Sequence, residues 1–455
     1  MMKTVWEKYD DSQLNALHAF NEEYRQFLSY AKTEREFTTE SEKEAIAHGF
    51  KNIADVKEIK AGDKLYSINR GKNLVLFVIG KKPLTEGMNI LGAHIDSPRL
   101  DLKQHPLYEK DGLALMDTHY YGGIKKYQWT TRPMALHGVV CKKDGSVVNV
   151  VIGEDPTDPV VGITEILVHL SNDQMKRSAS EIVTGEDLDL LVGSVPAKDC
   201  EKDPVKKYVL DLLKEKYDIE EDDFMSAELE VVPAGEARDF GLDRSMIMGY
   251  GHDDRVCAYT SMRAIFELEE PERTSCCILV DKEEIGSVGN TGMQSAYFSH
   301  VTAELLALQG SCSLVDFNHA MANSRMLSSD VSAAVDPLYD SVFDQKNAAH
   351  FGCGICYNKY TGARGKSGCN DANAEYFAKV RRVMDDNAVA FQTCELGSVD
   401  KGGGDTIAYI AANLNMDVVD AGIAVQNMHS PCEIVSKADV YEGYRAYIAF
   451  LKDMD

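Results

Sequence analysis

The sequence predicts an α/β fold, with a mixed, mainly parallel sheet sandwiched by helices. Three observations predict it. Strand-length apolar runs alternate with segments of helical period toward both ends of the chain. The stretch 103–235 breaks that alternation and reads as a β-rich insertion. The 455 residues exceed one ordinary domain, which leaves room for such an insertion. The boundaries expected are 1–102 plus 236–455 for the main domain and 103–235 for the inserted one.

The elements follow in order. Leu14, Leu17, Phe20, Tyr24, Phe27 and Leu28 recur at helical spacing and predict a helix over 11–34. A second helix is expected near Ser41, with Glu44 as its capping-box partner. "NLVLFVIG" (73–80) and "MNILGAHID" (88–96) read as core strands. In the insertion, "LHGVVCKKDGSVVNVVIG" is a hairpin around Asp144-Gly145, "DPVKKYVLDLLKEKY" a helix and "AELEVV" a strand. Beyond Tyr250, strands at 276–282, 312–317, 389–396 and 416–423 alternate with helices at 254–268, 371–385, 405–414 and 436–453.

Composition narrows the function. Apolar content of 44% and charged content of 27% are those of a globular protein. No run of 18 uncharged apolar residues is present, so no membrane span is expected. "MMKTVWEKYDDSQ" lacks the apolar core of a secretory signal. A formal charge of −25 repels phosphate backbones and anionic lipid, which argues against nucleic-acid and membrane partners. Eleven scattered cysteines fit reduced thiols and a cytoplasmic location.

Acids and histidines recur where the predicted strands stop: His94 and Asp96, Asp253 and Asp254, Glu283 and Glu284, Asp330, and His429. In open α/β sheets, ligand sites gather at the carboxyl ends of strands. Histidines with carboxylates make a mixed donor set suited to zinc, cobalt or manganese. One acid shared by two ions, with a histidine and an acid on the outer sides, gives a two-metal site with ions ~3.5–4 Å apart. In "HID" the second acid would hold the ring and set its tautomer. Blander readings exist for single pieces: Asp254 pairing with Arg255 or capping the next helix, and "DKEE" as a solvated turn. Adjacent Glu283 and Glu284 repel, however, so solvent or a cation must take up their charge.

Rival motifs fail. "GARGKSG" is no phosphate loop, because Tyr360 stands where the first glycine is required. H-E-x-x-H, G-x-S-x-G and G-x-G-x-x-G are absent, and "CGIC" has no partner pair.

The strings "LGAHIDSPRL", "HDDRVCAYTSM", "DKEEIGSVGNTGMQS", "SSDVSAAVDP", "DKGGGDTIA" and "NMHSPCEI" stand in this order. Together they resemble the eighteenth metallopeptidase family, the aspartyl aminopeptidase and vacuolar aminopeptidase I group of dizinc exopeptidases. The resemblance covers essentially the whole chain, including "YYGGI" and "ILVHL" in the insertion. It implies the dizinc exopeptidase fold with an inserted, β-rich dimerisation domain. It implies two divalent ions, zinc first, and hydrolysis of the first bond of peptides with a free N-terminus. It also implies a homo-oligomer, a tetrahedral dodecamer enclosing its active sites. By position, His94, Asp253 and Asp330 would hold one ion, and Asp253, Glu284 and His429 the other. Glu283 would be the general base, Asp96 would orient His94, and His169 would reach a neighbouring subunit's site.

Substrate contacts are less determined. Gly402 to Gly404, with Gly403 at the centre, would let backbone approach the substrate, or simply form a turn. Lys282 stands where many relatives carry a neutral polar residue, and alternation along a strand is expected to point it away from Glu283. An acid-selective pocket needs a cation, with Lys359, Arg364 and Lys366 as candidates. "KYTGARGKSG" looks more like the branch preferring neutral first residues, so a neutral, hydrophobic or broad preference is expected over an acidic one. The alternatives are an acid-selective aspartyl aminopeptidase, and a dizinc deacylase or carboxypeptidase with a cationic clamp. A non-catalytic metal-binding scaffold is least favoured, since Glu283 and Asp253 are both present.

Overall fold

Cys276 and Cys277 are chain neighbours that bury on opposite faces of one sheet. The same alternation runs through the adjoining strands. Leu74, Leu76, Leu91, Ala93, Cys277 and Leu279 join one core. Val75, Phe77, Ile90, Cys276, Ile278 and Val280 join another. A strand buried on both faces needs continuous apolar sequence, which explains runs such as "NLVLFVIG".

The computed structural model of the chain describes residues 3–311 and 313–455. It divides into two compact units. The first comprises the chain up to Asp96, Ala237–Met428 and Glu433–Asp455; the second comprises Ser97–Glu236 and His429–Cys432. The expected boundary after residue 102 falls inside the strand Arg99–Lys110, which belongs wholly to the second unit.

The first unit carries a nine-stranded sheet. At its centre Thr274–Val280, Met88–His94, Arg325–Ser328 and Asp417–Gly422 lie side by side and parallel. On one face pack Asp11–Tyr30, His252–Phe266, Ala374–Asp386 and Lys437–Asp453, through residues such as Phe20, Tyr24, Ile265, Val380 and Phe450. On the other lie Tyr297–Leu308, Leu314–Ala322 and Ala408–Ala412, through Leu305, Met321 and Ala411. A smaller five-stranded sheet includes Met246–Gly249 and Glu433–Ser436, paired antiparallel. The second unit is a six-stranded antiparallel sheet packed against the helix Pro204–Tyr217.

Three expected elements are revised. The first helix stops at Tyr30, and the second runs from Glu34 to Ala47 rather than from Ser41. Its capping box is Thr33 with Glu36: the Thr33 hydroxyl accepts the Glu36 N–H, and the Glu36 carboxylate accepts the Thr33 N–H. The described part of the stretch 312–317 is no strand. Cys312 lies outside the described residues, and Leu314–Ala322 is a helix capped by Ser313, whose hydroxyl accepts the Asp316 N–H. The strand of that βα unit is Arg325–Ser328. A short apolar run fits either period, and here the capping serine decides. Among the described residues no helix is long and apolar enough to cross a membrane.

Candidate metal centre

Strand register assembles the site. Val280 pairs with His94, and Ser328 with Gly92, on neighbouring parallel strands. Three strands therefore stop near one level, and the residues at their ends emerge together at the carboxyl edge of the sheet. These are His94 itself, the turn Glu283–Ile285, and Asp330 two residues past its strand. Asp253 arrives from the start of the helix His252–Phe266, where the backbone is not yet helical (φ −79°, ψ 108°). The peptide joining Asp253 to Asp254 is cis.

The imidazole of His94 is 2% exposed and sits at the centre of the acids. Its Nε2 lies 3.3 Å from Asp253 Oδ1, 3.9 Å from Glu283 Oε2 and 4.0 Å from Asp330 Oδ1. Ligand atoms of His94, Asp253 and Glu284 fall within 4.8 Å of one another, as do those of His94, Glu283 and Asp330. Asp253, Asp254 and Asp330 form a third such group.

Such crowding is costly without a cation. Like charges ~4 Å apart repel by on the order of 4 kcal/mol even at an effective dielectric of ~20. Burial, then the charge of Asp254, raises the Asp330 carboxyl well above the ordinary range. At His94 burial opposes the imidazolium, yet the Asp253 and Asp96 carboxylates overcome it and hold the pKa well above its usual value. A divalent cation at this point would take the place of that proton and neutralise the acids. One imidazole nitrogen among several carboxylate oxygens is a donor set that fits zinc.

Asp96 supports the opposite side of the ring. Its Oδ1 lies 3.3 Å from His94 Nδ1, and its main-chain oxygen 3.0 Å from the same nitrogen. Its two carboxylate oxygens also accept the N–H groups of Glu283 and Glu284, at 3.1 and 3.2 Å. One buried acid thus fixes both the imidazole and the turn that bears the paired glutamates.

Two residues escaped a firm reading from sequence. Asp254 neither pairs with Arg255 nor caps the helix: its carboxylate accepts the His94 N–H at 3.3 Å. Arg255 instead donates to the carbonyls of Gly251, Tyr250 and Ala31. Glu433 accepts the Asp253 N–H at 2.9 Å. In the sequence it heads an apolar strand, "EIVS", and lies within the string "NMHSPCEI", with no role read for it there.

The other expected site residues are placed as follows. His429 belongs to the second unit, with Nδ1 2.7 Å from the Gly123 carbonyl oxygen. His169 is exposed in the short turn Val168–Leu170, not buried in the insertion. Lys359 and Lys366 both engage the carboxylate of Asp371. Gly403 has φ +131°, and a Cβ there would lie 2.5 Å from the Ala363 backbone, so the chain's own packing demands glycine. Lys282 does not lie in the strand at all. It follows the strand end in a left-handed conformation (φ 68°), and its Nζ pairs with Asp281 at 3.4 Å.

Comparison with known proteins supplies the remaining context. The family model described as "Aminopeptidase I zinc metalloprotease (M18)" matches residues 27–451. A "Probable M18 family aminopeptidase 1" from Clostridium acetobutylicum is 56% identical over 456 residues, covering 99% of this chain and 98% of that protein. The crystal structure of aminopeptidase I from the same organism superposes with a TM-score of 0.93 at 52% identity, covering 99% of each chain. That of an M18 aminopeptidase from Thermotoga maritima gives a TM-score of 0.96 at 43% identity, again covering 99% of each chain. With histidine and acids gathered at the sheet edge and a match of this extent, the chain belongs to the M18 family of zinc metalloproteases and is an aminopeptidase.

Proposed function

We propose that the chain removes the N-terminal residue of peptides with two divalent ions that share Asp253. His94, Asp253 and Asp330 would hold one ion; the family resemblance gives Asp253, Glu284 and His429 for the other. The observation that carries this reading is the gathering of Asp253, Glu284 and Asp330 around the His94 imidazole. Bound divalent ions lower the pKa of water and polarise a carbonyl.

Glu283 is the proposed general base. It accepts the proton of the attacking water and returns it to the leaving amine, a contribution of about 10²–10⁴-fold. Asp96 keeps that carboxylate in place through the Glu283 N–H. The free α-amine of the substrate is attracted by the acids, and acylating it removes that attraction. A neutral or broad first-residue preference is favoured because two of the three candidate cations, Lys359 and Lys366, are engaged by Asp371. Assembly into a homo-oligomer follows from the same family resemblance.

The test uses zinc-loaded protein on Leu- and Asp-p-nitroanilides and on N-acyl amino acids. The Leu anilide is expected to be the best substrate and the acylated compounds inert. Glu283→Gln is expected to lose about 10²–10⁴-fold in kcat while keeping its zinc. Full activity in that variant would reassign the base.

A further inference from the structure

The strand Glu433–Ser436 begins with a carboxylate that is 1% exposed. Burial of an acid is expensive unless its oxygens find donors. Here the N–H of Asp253 supplies one, 2.9 Å from Oε2. This N–H lies at the start of a helix, where the first amides have no acceptor within the helix itself. The pairing follows from register: Glu433 stands opposite Gly249, at the end of the strand that leads into Asp253.

The surrounding residues pin the same segment. Arg255 grips the carbonyls of Tyr250 and Gly251, and Tyr24 Oη meets His252 Nδ1 at 2.7 Å. The Arg255 guanidinium also feels the Glu433 charge, so the buried acid has a nearby counter-charge. These contacts fix the path of the chain on either side of Asp253. Glu433 fixes the peptide of Asp253 itself, and with it the carboxylate that faces His94 Nε2 at 3.3 Å.

We propose that Glu433 is a positioning residue for the metal centre: by holding the Asp253 N–H it aims the carboxylate that the two ions share. The inference rests on the proposed reading of Asp253 as a shared ligand. It assigns Glu433 a role through hydrogen-bond reach, not through charge. A side chain of the same length with a neutral acceptor oxygen should therefore serve, and a shorter carboxylate should not.

The test measures zinc affinity by competition with a chromophoric chelator, and separately kcat and KM on an aminoacyl anilide, using the full chain. Glu433→Ala and Glu433→Asp are expected to weaken zinc binding about 10–100-fold and to lower kcat, with KM within about twofold. Glu433→Gln is expected to stay within about threefold of the parent in affinity. The aspartate and glutamine variants decide the matter even if the alanine variant does not fold. Wild-type affinity in Glu433→Asp, or a loss in Glu433→Gln as deep as in Glu433→Asp, overturns the proposal. Asp253→Ala is run alongside. If it binds zinc as the parent does, the metal reading itself fails; if it loses zinc while Glu433→Asp keeps it, only the role of Glu433 fails.

Discussion

Asp96 Oδ1 accepts the N–H of Glu283 at 3.1 Å and lies 3.3 Å from Nδ1 of His94. A single oxygen therefore ties the proposed base to a proposed ligand. Removing it loosens both. Asp96→Ala is expected to weaken zinc affinity by about 10–100-fold and to lower kcat/KM by at least as much. Asp96→Asn, which keeps one acceptor oxygen, is expected to fall between. Chelator competition and steady-state kinetics on the two variants check this, and wild-type values in Asp96→Ala would remove Asp96 from the site.

Gly422 governs Asp330 from an adjoining strand. A Cβ built on Gly422 would sit 1.8 Å from the Asp330 carbonyl oxygen, so no side chain fits unless Asp330 moves. Gly422→Ala is expected to cost at least about tenfold in zinc affinity and activity. Metal analysis together with circular dichroism separates this from unfolding. A folded variant with full zinc content would show that the Asp330 backbone has room to spare.

Asp420 gives a pH-dependent stability. Burial pushes its carboxyl up to about 7, against the hydrogen bond that the Thr406 hydroxyl donates to it. The unfolded carboxyl releases its proton near the ordinary value of 3.8, while the folded one keeps it to about 7. The unfolded chain thus binds fewer protons across that window, and stability falls as pH rises through it, by up to ~1.4 kcal/mol per pH unit. Asp420→Asn keeps an acceptor for the Thr406 hydroxyl and removes the titration. Its Tm relative to the parent is expected to rise between pH 5 and 7.5. A constant difference would mean that Asp420 does not titrate in that range.

Lys282 is expected to be neutral for catalysis. Its ammonium is turned to Asp281, and its stem runs beside Gly289, where a Cβ would meet the Lys282 Cε at 3.3 Å. Lys282→Ala should leave the pH profile of kcat/KM within about half a unit. A shift of a full unit would show that its charge reaches Glu283.

The core strands were legible because burial on both faces forces continuous apolar runs, as in "CCILV" and "NLVLFVIG". The gathering of His94, Glu283 and Asp330 was legible for a related reason: residues just past parallel strands share one edge. What the chain concealed was decided by caps and by contacts distant in sequence. Thr33 with Glu36 moved one helix start, and Ser313 turned an expected strand into a helix. Asp254 and Glu433 act on backbone amides 160 and 180 residues away in the chain, which no local pattern encodes. Lys282 misled because the strand ends at Val280, two residues before it, so alternation no longer applies.

The central claim is that Asp253 is shared by two ions. Anomalous diffraction at the zinc edge, from crystals of the zinc-loaded protein, tests it directly. Two peaks about 3.5–4 Å apart, one on either side of the Asp253 carboxylate, are predicted. A single peak, or two peaks that do not share Asp253, would contradict the account.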